Sequence, residues 1–175
     1  MEIIDSKITV YEVELSLESW TVNNTSEISD FASQLTAFLP SIETHKCMRG
    51  EKGGFLAEVK QGTNFAHVIE HVILELLHLA DDSGRIFTDW TQKKAPNHFV
   101  VHFDAPGFLA AHMAAILGVD MVKQMLNNQD VDVQLFLDRL KHPFSHVAAD
   151  EPMARTLLSA DPLLQLGPHN SFFLP

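Results

Sequence analysis

Gly62-Thr63-Asn64-Phe65-Ala66-His67-Val68-Ile69-Glu70-His71-Val72-Ile73-Leu74-Glu75-Leu76-Leu77-His78-Leu79-Ala80 is the stretch on which the fold turns. Thr63 or Asn64 supplies an N-cap, and Asp81-Asp82-Ser83-Gly84 closes the run. Between them Val68, Ile69, Val72, Ile73, Leu76 and Leu77 share one side, which gives a long helix a core face. The opposite stripe carries His67, Glu70, His71, Glu75 and His78. At about 100° per residue, His67 and His71 project from one face, one turn apart, with Glu70 beside them.

That stripe has the order H-x-x-E-H, the inverted form of the zinc-hydrolase motif. Two imidazoles at i and i+4 can hold one ion, and a neighbouring carboxylate can take a proton from water bound to it. Glu75 fits a carboxylate that orients a ligand imidazole, or a ligand itself. His78 lies too far along the helix for the same ion and reads as an ordinary polar residue. A catalytic zinc takes three protein ligands and keeps one position open. Spacing leaves the third among Cys47, Glu75, His45, His98, His102 and His112. Cys47, the single cysteine, is either a thiolate ligand or a small buried hydrophobe.

Working outward, residues 8–17 alternate as a half-buried strand, and residues 97–104 are β-branched and aromatic. Residues 26–39 form an amphipathic helix, with Ser26 as its cap and Pro40 at its end. Residues 44–54 form a loop in which Gly53 and Gly54 either adopt positive φ or let the backbone pass close to the site. Phe55–Lys60 reads as a short strand. Two more helices follow at about 107–126 and 130–140. The pattern predicts an α+β domain, a small and mostly antiparallel sheet packed with about four helices, with the H-x-x-E-H motif on a long central one. The domain runs over residues 1–141, and 142–175 is a Pro-rich extension rather than a second domain.

Composition narrows the functional classes. The 175 residues are 46% hydrophobic and 20% charged, an ordinary globular mixture. A net charge of −11 argues against nucleic acid, whose phosphates call for a cationic surface. The same charge is compatible with a cationic partner. No continuous apolar run reaches the ~18 residues of a bilayer span, and the first residues lack a secretory pattern. The expectation is a cytoplasmic protein without membrane contact.

Thr44-His45-Lys46-Cys47, Gly50-Glu51-Lys52-Gly53-Gly54-Phe55, Gly62-Thr63 and His67-Val68-Ile69-Glu70-His71-Val72-Ile73-Leu74-Glu75-Leu76 together resemble the N-terminal domain of cyanophycin synthetase. The resemblance is dense from Leu39 to Ala80. It thins through Gly84-Arg85 and the strand at 97–104 to the Ala-rich helix. It implies a domain that binds cyanophycin, a polyaspartate with arginine side chains, and that in some members also carries a metal-dependent site cutting the polymer into primers. It further implies Cys47, His67 and His71 as metal ligands and Glu70 as general base. Leu77 stands where the family has Gln, and Ala80-Asp81 where it has Ala-Gly. The ATP-grasp and Mur-ligase-like domains of synthesis have no counterpart here, so a stand-alone domain that does not synthesise is expected.

The expected function is therefore a zinc-dependent hydrolase of a cationic, Asp–Arg polymer or peptide. Two rivals stand beside it. One is a non-catalytic polymer-binding module with a structural metal or none. The other is an interaction module, or homo-oligomer, docking through the hydrophobic tail around Leu163, Leu164, Leu166, Phe172, Phe173 and Leu174.

Overall fold

The chain is described by a computed structural model over residues 9–47, 50–142 and 171–174. Strand β1 (Thr9–Ser16) leads through a 3₁₀ turn (Thr25–Glu27) to α1 (Phe31–Phe38), a second 3₁₀ turn (Pro40–Thr44) and α2 (Gly54–Gln61). Helix α3 (Phe65–Ala80), the hairpin β2 (Asp89–Ala95) and β3 (His98–Ala105), helices α4 (Phe108–Leu126) and α5 (Val133–Lys141), and strand β4 (Ser171–Leu174) complete it.

The sheet has the order β2-β3-β1-β4. Strand β3 is antiparallel to both β1 and β2, with Val13 opposite Val101 and Thr91 opposite Val101 on the other side. Strand β4 adds a parallel edge along Glu12–Leu15. The α+β architecture with a mostly antiparallel sheet is thus observed, with five α-helices among the described residues. Of the tail, only the backbone of 171–174 is described; Leu163, Leu164 and Leu166 lie outside the described residues.

Helix α3 runs through the centre. Twelve of its 16 residues are buried, and it packs against α4, α5 and strands β2 and β3. It meets α4 tightly at Gly118, where a Cβ would stand 2.7 Å from Ile73 Cγ1. Helix α4 is long and apolar enough to cross a bilayer by length and composition. Its buried side, including Ala111, Ala114, Leu117, Met121 and Val122, belongs to the same core cluster as α3.

Three expectations change. Phe55–Lys60 is helix α2, not a strand: Phe55 and Val59, one helical turn apart, are its buried residues. The helix expected over 26–39 begins only at Phe31, because Asp30 turns left-handed at φ 62°. Ahead of it Asn24, not Ser26, is the cap, in a capping box with Glu27. Strand β2, a polar edge strand, had no counterpart in the hydrophobic pattern.

Candidate metal centre

Asn64 starts α3 in extended geometry, and its Oδ1 accepts from His67 N at 3.0 Å. This cap fixes the first turn and with it the root of the His67 side chain. Thr63 Oγ1 meets His67 Nδ1 at 3.0 Å. With a proton on that nitrogen donated to the hydroxyl, His67 Nε2 keeps a free lone pair, and it lies 3.2 Å from Cys47 Sγ. The loop carrying Cys47 is held by two glycines. Gly53 is left-handed at φ 81°, and a Cβ on Gly54 would sit 3.4 Å from Cys47 N. The positive-φ half of the expectation is met at Gly53, while Gly54 makes only an ordinary contact with Cys47.

His71, one turn beyond His67, is buried under the Phe55 ring, stacked at 3.8 Å. Its Nδ1 faces His45 Nδ1 at 3.1 Å, and His45 Nε2 reaches Glu75 Oε2 at 2.7 Å. Ser41 Oγ donates to the other Glu75 oxygen. The protons fall into one order that leaves His71 Nε2 free: His71 Nδ1–H donates to His45, and His45 Nε2–H donates to Glu75. Glu75 is thus linked to His71 through His45 rather than directly.

Cys47, His67 and His71 each offer a donor atom within 4.8 Å of the others. Burial holds His67 below the usual imidazole range, against the pull of Glu58. Burial, with His67 and His45 nearby, pushes His71 down to about 2. Both rings are therefore neutral at pH 7, the state that coordinates. A thiol and two imidazoles on the wall of a cleft fit a soft or borderline divalent ion such as zinc, and do not fit magnesium or calcium.

Glu70 shares that cleft, of about 510 Å³, with the three donors. It is 4% exposed, accepts from Thr91 Oγ1, and has Oε1 3.9 Å from His71 Nε2. Burial first, then the charges of Asp89 and Glu58, push its carboxyl up to about 8, against the Thr91 hydrogen bond. Asp89 is pushed to about 7, again mainly by burial, with His45 opposing and Asp104 adding. Asp89 Oδ2 is buried and has no hydrogen-bond partner among the described residues. Lys46, Lys93 and Glu58 also line the cleft.

The remaining candidates lie elsewhere. His98 pairs with Glu18 at the surface, His102 stacks under Trp90 with Nδ1 toward Glu12, and His112 stacks on Phe108. Asp89 and Thr91 were not foreseen. They reach the cleft only because β2 lies against α3, and no spacing to the motif could announce them.

A small α+β domain whose central helix brings His67 and His71 to Cys47 of a preceding loop, beside two perturbed carboxyls, is the class this geometry defines. Residues 12–127 match the cyanophycin synthase-like N-terminal domain, and the chain belongs to that family. Cyanophycin synthetase of Synechocystis sp. is 29% identical over 168 residues, 87% of this chain and 19% of the relative. Those of Trichormus variabilis and Crocosphaera subtropica are 46% and 45% identical over 66 and 65 residues. These cover 38% and 37% of this chain but only 7% and 8% of the relatives. The chain thus spans less than a fifth of the curated relatives it matches.

These names correct the expected function. The relatives are synthetases, so the zinc-dependent hydrolase reading, with Glu70 as its general base, is withdrawn, and the non-catalytic alternative fits better.

Proposed function

We propose that this domain is a non-catalytic binding module for a cyanophycin-like polymer or peptide carrying arginine side chains. The observation that carries the reading is the pair Glu70 and Asp89. The buried carboxyl of Glu70 and the half-buried one of Asp89, raised to about 8 and about 7, line one cleft, and the buried Oδ2 of Asp89 lacks a partner among the described residues. Burying such groups without a cation is unfavourable. A guanidinium entering the cleft relieves both, since its planar fork of donors matches carboxylate oxygens. Lys46 and Lys93 on the same walls suit the free carboxylates that the attached arginines of such a polymer keep.

Cys47, His67 and His71 would hold a divalent ion whose role is structural, tying the Thr44–Gly54 loop to α3. Such an ion joins a segment that carries few core residues to the helix at the centre of the core. Removing it with a chelator should loosen the loop and weaken polymer binding without unfolding the remaining core.

The test is calorimetric titration with an Asp–Arg polymer against polyaspartate as control. Wild type should bind the former and leave its length unchanged. Glu70→Gln/Asp89→Asn should bind it roughly 10- to 100-fold more weakly, the size of lost charge-assisted hydrogen bonds. Affinity should also rise with pH through 7 to 8, as the two carboxyls ionise. Equal affinity for polyaspartate, or an unaffected double variant, would overturn the reading.

A further inference from the structure

Helix α3 carries donors beyond the first cluster. Glu75 and His78 stand at i and i+3, one turn apart on the face toward the 44–47 loop. That loop contributes His45, and the donor atoms of His45, Glu75 and His78 lie within 4.8 Å of one another. The plan of the first cluster is thus repeated: one pair of donors from α3 and one from the loop. His45 and Cys47 are two residues apart on the loop, and the pairs His67/His71 and Glu75/His78 follow each other along the helix. A second cleft, of about 680 Å³, opens onto this triad past Ile86 and Thr88 and gives an ion a way in.

We propose that His45, Glu75 and His78 form a second divalent-metal site, and that it competes with the Cys47, His67, His71 site so that the chain holds one ion at a time. The competition comes from the facing Nδ1 atoms of His45 and His71, 3.1 Å apart. Only one proton fits between those two nitrogens. With an ion on His71 Nε2, that proton sits on His71, and His45 keeps its own on Nε2, donated to Glu75. With an ion on His45 Nε2, the proton sits on His45 Nδ1, and His71 must carry its own on Nε2, where it blocks the first site. The two states hold the same number of protons and differ only in which nitrogens carry them. Loading the second site also opens the 2.7 Å His45–Glu75 contact and the 3.3 Å bond from Phe87 N to His78 Nε2. These are two hydrogen bonds exchanged for metal–ligand bonds, which are stronger.

Cobalt(II) alone, titrated into the reduced protein, distinguishes the sites, because only Cys47 gives a thiolate-to-cobalt charge-transfer absorption. Wild type should saturate at one equivalent. His78→Ala should also take one equivalent, with the full thiolate band. Cys47→Ser/His67→Ala, which strips the first site to a single imidazole, should still take one equivalent, without the band. Adding His78→Ala to that variant should weaken cobalt binding at least tenfold, with circular dichroism showing that the fold is retained. Two equivalents held at once by wild type would overturn the competition. A Cys47→Ser/His67→Ala protein that binds no cobalt would overturn the second site. The competition rests on the first site as read above, the second site itself does not. Loss of the thiolate band in His78→Ala, with cobalt still bound by Cys47→Ser/His67→Ala, would strike the first-site reading and the competition while leaving the second site standing.

Discussion

Replacing Asp89 by Asn should stabilise the ligand-free domain, and the gain should depend on pH. Asp89 lies at the start of β2 on the cleft wall, with Oδ2 buried and unpartnered among the described residues. Its carboxyl rises from 3.8 to about 7 on folding. The folded state therefore holds this proton more tightly than the unfolded chain, and stability falls as pH climbs between those values. At about 1.4 kcal/mol per pH unit, a gap of roughly three units sets a ceiling of roughly 4 kcal/mol at pH 8. Relaxation of the cleft and water entering it reduce that figure, so about 2–3 kcal/mol is the expected gain. Asn keeps the shape and carries no charge. Near pH 4, where Asp89 is protonated in the folded domain, the two proteins should differ little. Above pH 7 the variant should be the more stable by the full amount. The charge of Asp89 is also one cause of the raised Glu70 carboxyl, so its removal eases Glu70 in the same direction. Urea unfolding from pH 4 to 8.5, under reducing conditions for Cys47, reads the difference through the midpoint at constant slope. Two stability curves that run parallel across this range would refute the claim that Asp89 is held protonated by its surroundings.

Two further predictions concern the frame that holds the site. Gly118→Ala places a Cβ 2.7 Å from Ile73 Cγ1 at the α3–α4 contact. Overpacking of roughly 1–3 kcal/mol exceeds the helix-propensity gain of about 0.5–1 kcal/mol. The thermal midpoint should therefore drop by a few degrees, and an unchanged or raised midpoint would show that α4 can slide away from α3. Asn64→Ala removes the cap on His67 N and should cost about 1 kcal/mol in urea unfolding. Asn64→Asp should restore it, and an Ala variant as stable as wild type would mean that Thr63 has taken over the cap.

Much of the frame was legible in the sequence because it follows from local rules. The α3 helix announces itself through a capping residue and a 3.6-residue period that lasts four turns. Strands β1 and β3 announce themselves through alternation and β-branched content. The failures share one cause, which is brevity or polarity. Phe55–Lys60 is too short for its period to show, and only Gly53 at φ 81° together with the buried pair Phe55 and Val59 marks it as a helix. Strand β2 contributes so little to the core that no hydrophobic signal exists: Thr91 is half-buried, and Lys93 and Lys94 are exposed. The site divides in the same way. His67, Glu70 and His71 are adjacent on one helix, so their meeting is a matter of spacing. Cys47 came from the resemblance and is brought beside them by the structure. Asp89 and Thr91 arrive on a hairpin whose placement is set by tertiary packing, and His45 and His78 acquire their meaning only from each other and from Glu75.

The same division explains why a central helix contains ionisable groups that a purely structural helix would replace by leucine. Glu70, His71 and Glu75 are 4%, 2% and 2% exposed in a helix that otherwise buries apolar side chains. Each such group lowers stability unless a partner meets it. Two flanking segments supply those partners: the 41–47 loop brings Ser41 and His45 to Glu75 and His71, and β2 brings Thr91 to Glu70. Asp89 is left short: its Oδ2 is buried with no hydrogen-bond partner among the described residues, and its charge helps raise the Glu70 carboxyl to about 8. A fold selected for stability alone would have closed that gap with a lysine or removed the carboxylate. The residual strain instead lies on the wall of the open cleft, where a cation from outside can relieve it. On the proposed reading, part of the binding energy for an arginine side chain is stored in the ligand-free domain as two carboxyls held away from their preferred charged state.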